Sequence, residues 1–109
     1  MVQKRTVQKI LSAEKCLRKH GYHIVNLILF GSRARNRQHR DSDIDLCVVA
    51  HHLGNRWHER LKMQKLLQPI DQQFDVFPCT PQEYRNNRLS PLLDQVRKTG
   101  VDLSSLTRK

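Results

Sequence analysis

The chain has little that would staple, export or anchor it. Its three cysteines, Cys16, Cys47 and Cys79, are odd in number and lack the paired spacing of a disulfide framework or a zinc site. Cys47 and Cys79 lie in or just after apolar stretches, where buried free thiols of a reducing compartment are expected. No apolar run approaches the roughly 18 residues of a membrane span. The start, Met1-Val2-Gln3-Lys4-Arg5, leads into a charged segment instead of an apolar leader, so a cytoplasmic location without membrane attachment is expected. One Trp, two Tyr and three Phe, with 38% hydrophobic residues, imply a modest core and leave no aromatic-interleaved platform for stacking bases. Acids are scarce as well. Ten Asp and Glu face twenty Lys and Arg, a net charge of +10. Such a field would attract nucleic acid or nucleotide phosphates, or steer an acidic protein partner, or form only a basic solvated surface. A length of 109 residues suits a single domain over 1–109, with one core and no room for an added substrate-binding domain.

Periodicity divides the chain into alternating elements. Val7, Ile10, Leu11 and Leu17 recur at helical spacing among Lys and Arg, which predicts an amphipathic helix over 3–20 with Gly21 as its C-terminal cap. Ile24 to Phe30 is almost continuously apolar, the pattern of a buried strand. Asp43 to Val49 reads as a second strand. Trp57, Leu61, Gln64 and Leu67 mark a helix over 55–68 that ends at Pro69. Phe74 to Phe77 is a short third strand. Thr80-Pro81-Gln82-Glu83 has the form of a capping box with Pro at the first helical position. Ser90-Pro91 starts a last helix with Leu92, Leu93 and Val96 inward and Gly100 as its stop, and Val101 to Leu103 suits an edge strand. The expected fold is therefore α/β: a small mixed sheet flanked by about four helices.

The chemistry gathers at Leu29-Phe30-Gly31-Ser32, followed after ten residues by Asp43-Ile44-Asp45-Leu46. Alternation along a strand sends Asp43 and Asp45 to one face while Ile44 and Leu46 enter the opposite layer. Two adjacent carboxylates repel unless a cation lies between them, and oxygen donors of this kind suit Mg²⁺ or Mn²⁺. A Gly-Ser turn before a short helical segment offers N–H groups and a hydroxyl to phosphate. Metal and phosphate together imply a nucleoside triphosphate. Asp75, alone inside an apolar strand, is costly if it points into the core but can add a third carboxylate beside the first two, or else face water at a strand edge. The six histidines do not form a convincing zinc set, because His51 and His52 are adjacent on a connector. Trp57 suits the core or an interface better than a stacking platform.

Gly31-Ser32-Arg33-Ala34-Arg35 with Asp41-Ser42-Asp43-Ile44-Asp45-Leu46 resembles the signature of the nucleotidyltransferase superfamily related to DNA polymerase beta. The short chain is most similar to its minimal nucleotidyltransferase (MNT) branch, of the antitoxin type. One departure is Asn36, where a glycine is common in the family; Asn tolerates positive φ better than most residues.

The resemblance implies the nucleotidyltransferase fold, with the Asp-x-Asp face open to solvent and the other face packed on helices. It implies metal held by Asp43 and Asp45, with Asp75 as third ligand or general base, and Gly31 with Ser32 cradling the β- and γ-phosphates of ATP or another NTP. Arg33 or Arg35 would brace the leaving pyrophosphate; Arg37 and Arg40 suit a solvated loop, Asp41 suits the loop end or a turn cap better than a metal, and Ser42 suits the same cap or a hydrogen bond to a site carboxylate. The implied acceptor is a hydroxyl on a helical HEPN-type partner, in a toxin–antitoxin pair. Exposed apolar faces of the first or last helix would dock that partner or a second copy. Two other readings remain: a non-catalytic module that binds nucleotide or partner, and a transferase directed to RNA.

Overall fold

The computed structural model describes residues 3–31, 43–86 and 90–103. Helix α1 (Lys4–Lys19) forms because Thr6, Ile10, Ala13, Glu14 and Leu17 fall on one stripe and are buried, while the basic residues stay outside. The stripe passes beside the expected one: Leu11 lies at its rim and remains 37% exposed. Gly21 follows with φ +90°, the left-handed residue expected after a helix end.

Strand β1 (His23–Phe30) pairs antiparallel with β2 (Ile44–His51). Helix α2 (Arg56–Leu67) then crosses over to β3 (Phe74–Cys79), which runs parallel to β2. Helices α3 (Pro81–Asn86) and α4 (Pro91–Thr99) precede β4 (Val101–Asp102), a two-residue strand antiparallel to β1. The sheet order is β3-β2-β1-β4. The mixed sheet and four helices agree with the expected α/β class. Strand β3 runs two residues beyond the expected end, through Pro78. A proline is tolerated there because β3 is an edge strand and needs no N–H on its free side.

Both faces of the sheet are covered, which corrects the expectation of one open face. Leu27, Leu29, Ile44, Leu46, Val48 and Val76 pack against Ile10 and Leu17 of α1 and Met63 and Leu67 of α2. On the other face, Ile28, Phe30, Cys47, Val49 and Cys79 form a second, smaller cluster with Leu93 and Val96 of α4. The alternation that sends Asp45 away from the first cluster carries Cys47 and Val49 into the second. The acids are therefore left at one end of a face whose remainder is core. Helix α2 buries only part of the expected set. Met63 and Leu67 face inward, whereas Trp57 and Leu61 are 59% and 51% exposed.

Candidate active site

Strand β1 delivers Gly31 at its end, with φ +75°. A Cβ at this position would overlap Oδ2 of Asp45, so the turn needs glycine for its conformation and for the space the carboxylate occupies. Asp43 immediately precedes β2, Asp45 is its second residue, and Asp75 is the second residue of β3. The parallel register pairs Asp45 with Asp75 directly, so both project from the same face. One oxygen from each of Asp43, Asp45 and Asp75 lies within 4.8 Å of the others. Asp43 is exposed, and the other two are partly buried. Burial, and then the charges of Asp75 and Asp43, push the Asp45 carboxyl up to about 6. That response is expected of oxygen donors grouped tightly enough for a divalent cation.

Asp75 has a partner that periodicity did not single out. Arg60 of α2 donates from Nη2 to Asp75 Oδ1 at 2.7 Å and from Nε to the Val76 carbonyl at 3.1 Å. Its guanidinium carbon lies 4.8 Å from the centre of the Phe77 ring. Gln64, one turn further along α2, donates to the Phe74 carbonyl at 2.8 Å and accepts from the Val76 N–H. These two side chains occupy backbone groups along β3 on the edge where, among the described residues, no further strand pairs. The only advance signal was their i, i+4 spacing on a helix next to the strand, which any exposed polar pair shares.

A cavity of about 320 Å³ adjoins the acids through Arg60 and Phe77, and Trp57, Cys79 and Leu92 also line it. Cys47 and Cys79 lie beneath as buried free thiols with their sulfurs 3.8 Å apart, as expected from their apolar setting. Of the residues expected to handle phosphate, Gly31 is in place beside Asp45, whereas Ser32, Arg33 and Arg35 lie outside the described residues. So do Asn36, Arg37, Arg40, Asp41 and Ser42. Among the described residues, the one group of three or more His, Cys, Asp or Glu side chains able to share a metal ion is the Asp43, Asp45 and Asp75 cluster. Among them too, no helix is long and apolar enough to cross a membrane.

Residues 8–105 match the family model described as polymerase beta, nucleotidyltransferase. Over 61 residues the chain is 39% identical to a candidate protein adenylyltransferase of Methanocaldococcus jannaschii, a stretch covering 56% of this chain and 40% of that relative. A crystal structure of a toxin–antitoxin with AMP-PNP superposes with a TM-score of 0.64 at 29% identity, covering 89% of this chain and 71% of the other. The MntA–HepT toxin–antitoxin structure gives a TM-score of 0.58 at 25% identity, covering 93% and 71%. A candidate nucleotidyltransferase of Sulfolobus solfataricus shares the fold, with a TM-score of 0.62 at 20% identity over 91% of this chain and 79% of the other.

Proposed function

The chain belongs to the polymerase beta nucleotidyltransferase family, and on that footing we propose that it transfers AMP from ATP to a hydroxyl of a helical HEPN-type partner, as the antitoxin of a toxin–antitoxin pair. The observation that carries this reading is the grouping within 4.8 Å of three carboxylates, one just before β2, one on β2 and one on β3, beside a left-handed glycine turn. The likeness to a protein adenylyltransferase relative and to toxin–antitoxin structures supports the choice of nucleotide and acceptor class.

Asp43, Asp45 and Asp75 fit a hard divalent cation, and Mg²⁺ or Mn²⁺ is the ion they would hold. Bound there, it supplies charge neutralisation on the triphosphate and at the developing leaving group. The chain's own residues do the rest. Gly31 keeps its turn free of a side chain, so backbone N–H groups and the Ser32 hydroxyl receive the β- and γ-phosphates. Arg33 or Arg35 takes charge on the departing pyrophosphate. Asp75, as third ligand or general base, lies on the cavity side of the cluster, where an acceptor hydroxyl approaches. The acceptor oxygen bonds to the α-phosphorus, the bond from that phosphorus to the bridging oxygen breaks, and pyrophosphate leaves with the electron pair. The acceptor proton passes to Asp75 or to solvent. The net charge of +10 favours the approach of anionic ATP to the chain as a whole.

The test uses ATP labelled at the α-phosphate, Mg²⁺ and the protein encoded beside this one. Label on that protein, abolished by Asp43→Ala, is the expected result. No label, with Asp43→Ala still neutralising the partner, replaces catalysis by binding. Label on RNA, with affinity that falls steeply with salt, moves the acceptor to nucleic acid.

A further inference from the structure

Asp75 differs from the other two acids because it stands on an edge strand, with no neighbouring strand among the described residues on its outer side, and its side chain is 31% exposed. Something must keep it turned toward Asp43 and Asp45. Helix α2 packs against the face of the sheet opposite the acids, through Met63 and Leu67. Arg60 nevertheless reaches the acid face by passing round the free edge of β3. It contacts the Val76 carbonyl on the edge, then the Asp75 carboxylate and the Phe77 ring. Three anchors in different directions leave a planar guanidinium little freedom, and Oδ2 of Asp75 remains as the oxygen that this guanidinium does not hold.

We propose that Arg60 is the positioning residue for the third acid. It fixes the Asp75 carboxylate toward the metal cluster, and it acts through Asp75 without touching the nucleotide. As an ion pair it is about one-third exposed on each side and contributes little to stability. Its effect is therefore on geometry, where a displacement of about 1 Å in a reacting group can cost on the order of 100-fold in rate. The guanidinium also offsets one of three clustered negative charges before any cation arrives. Gln64 occupies the same strand edge but makes no hydrogen bond to the Asp75 carboxylate, which separates edge-capping from positioning within one helix.

The role assigned to Arg60 rests on the transferase reading, and a double-mutant cycle tests the two separately. The wild type, Arg60→Gln, Asp75→Asn and the double variant are compared for transfer of α-phosphate label from ATP, and for Mn²⁺ binding by electron paramagnetic resonance without nucleotide. Arg60→Gln is expected to lower kcat by about 10- to 100-fold with KM for ATP within about twofold, and to add nothing in the Asp75→Asn background. Arg60→Lys, which keeps the charge but loses the fork, recovers part of the rate. Gln64→Leu, assayed below its unfolding midpoint, stays within about twofold of wild type. Independent multiplication of the Arg60 and Asp75 effects, or an equal loss in Gln64→Leu, overturns the proposal. If the wild type transfers no label, the transferase reading fails and the Mn²⁺ cycle decides alone: coupling between the two positions in the dissociation constant supports positioning, and independent effects overturn it.

Discussion

Asp45 and Asp75 occupy partnered positions of the parallel β2–β3 ladder, with Ile44 and Phe74 paired before them and Leu46 and Val76 after. Apolar pairs on both sides lock the register, because a slip of one residue would turn the buried side chains of β3 to the wrong face. The separation of the two carboxylates is thus set by core packing on the far side of the sheet. Like charges placed side by side oppose folding. The arrangement makes sense when a cation is to sit between them.

The Asp45 carboxyl titrates at about 6, above its ordinary value of 3.8, so the folded protein binds that proton more tightly than the unfolded chain does. The associated stability is fully present below about pH 4 and is lost as pH rises through about 6. Asp45→Asn should therefore raise the unfolding midpoint of metal-free protein at pH 8 and change it little at pH 4. The gain should be on the order of 1 kcal/mol, since a half-exposed group is screened by solvent. Thermal melts in chelator across this range check the sign. A gain that is larger at pH 4 than at pH 8 would contradict the assigned cause.

Gly31 and Gly21 both have positive φ, at +75° and +90°, but their surroundings differ. A Cβ at Gly21 meets nothing within 4 Å, whereas one at Gly31 overlaps the Asp45 carboxylate. Gly21→Ala should cost only the conformational strain, about 1 kcal/mol. Gly31→Ala should cost more and should also weaken Mn²⁺ binding, because Asp45 must move. Paired melts and Mn²⁺ titrations separate the two effects. Equal losses in both variants would show that the space beside Asp45 carries no weight.

The acids and the caps were legible in the sequence for a simple reason. A period of two places Asp43 and Asp45 together, and an acid between Phe74 and Val76 has few other places to go. Capping depends on residues three apart, so Thr80 with Glu83 and Ser90 before Pro91 announced α3 and α4, and both caps form. What failed depends on tertiary choice. In α2, Leu67 is buried as its place in the periodic set suggests, but the crossover from β2 to β3 turns Met63 inward beside it and leaves Trp57 and Leu61 outside. Among the described residues, the large exposed apolar side chains are Leu11 on α1 and Trp57 and Leu61 on α2, while α4 buries Leu93 and Val96. Arg60 was invisible because an arginine that braces an acid has the same local pattern as one in water.

The capping box at α3 has a second duty. Glu83 accepts from the Thr80 N–H at 2.9 Å, and the same oxygen accepts from Arg56 Nε at 2.7 Å, which ties α3 to the start of α2. Thr80→Ala removes only the hydroxyl that accepts from Glu83 N–H and should cost about 1 kcal/mol, or about 4–8 °C in a domain of this size. Glu83→Ala removes both bonds made by its carboxylate and should cost more. Calorimetry of the two variants ranks them, and the reverse order would mean that the Arg56 contact contributes nothing.

Gln64 bonds to both Phe74 O and Val76 N, as a neighbouring strand would, and so covers an edge that could otherwise recruit another chain. Gln64→Leu preserves much of the side-chain volume but leaves a carbonyl and an N–H without that partner. Each such group costs about 1–3 kcal/mol if it stays dry and far less if water reaches it. Phe74 and Val76 are 3% and 0% exposed, so the two groups lie away from water and the expected loss is about 2–6 kcal/mol in all. The more telling consequence is association. With Arg60 still on the Val76 carbonyl, the opened edge is short, so the variant should self-associate weakly and only at high concentration. Gln64→Leu combined with Arg60→Gln frees the whole segment and should aggregate at concentrations where each single variant stays monodisperse. Light scattering against concentration for the three proteins reads this directly. A double variant no more prone to associate than either single one would show that the edge is protected by something other than these two side chains.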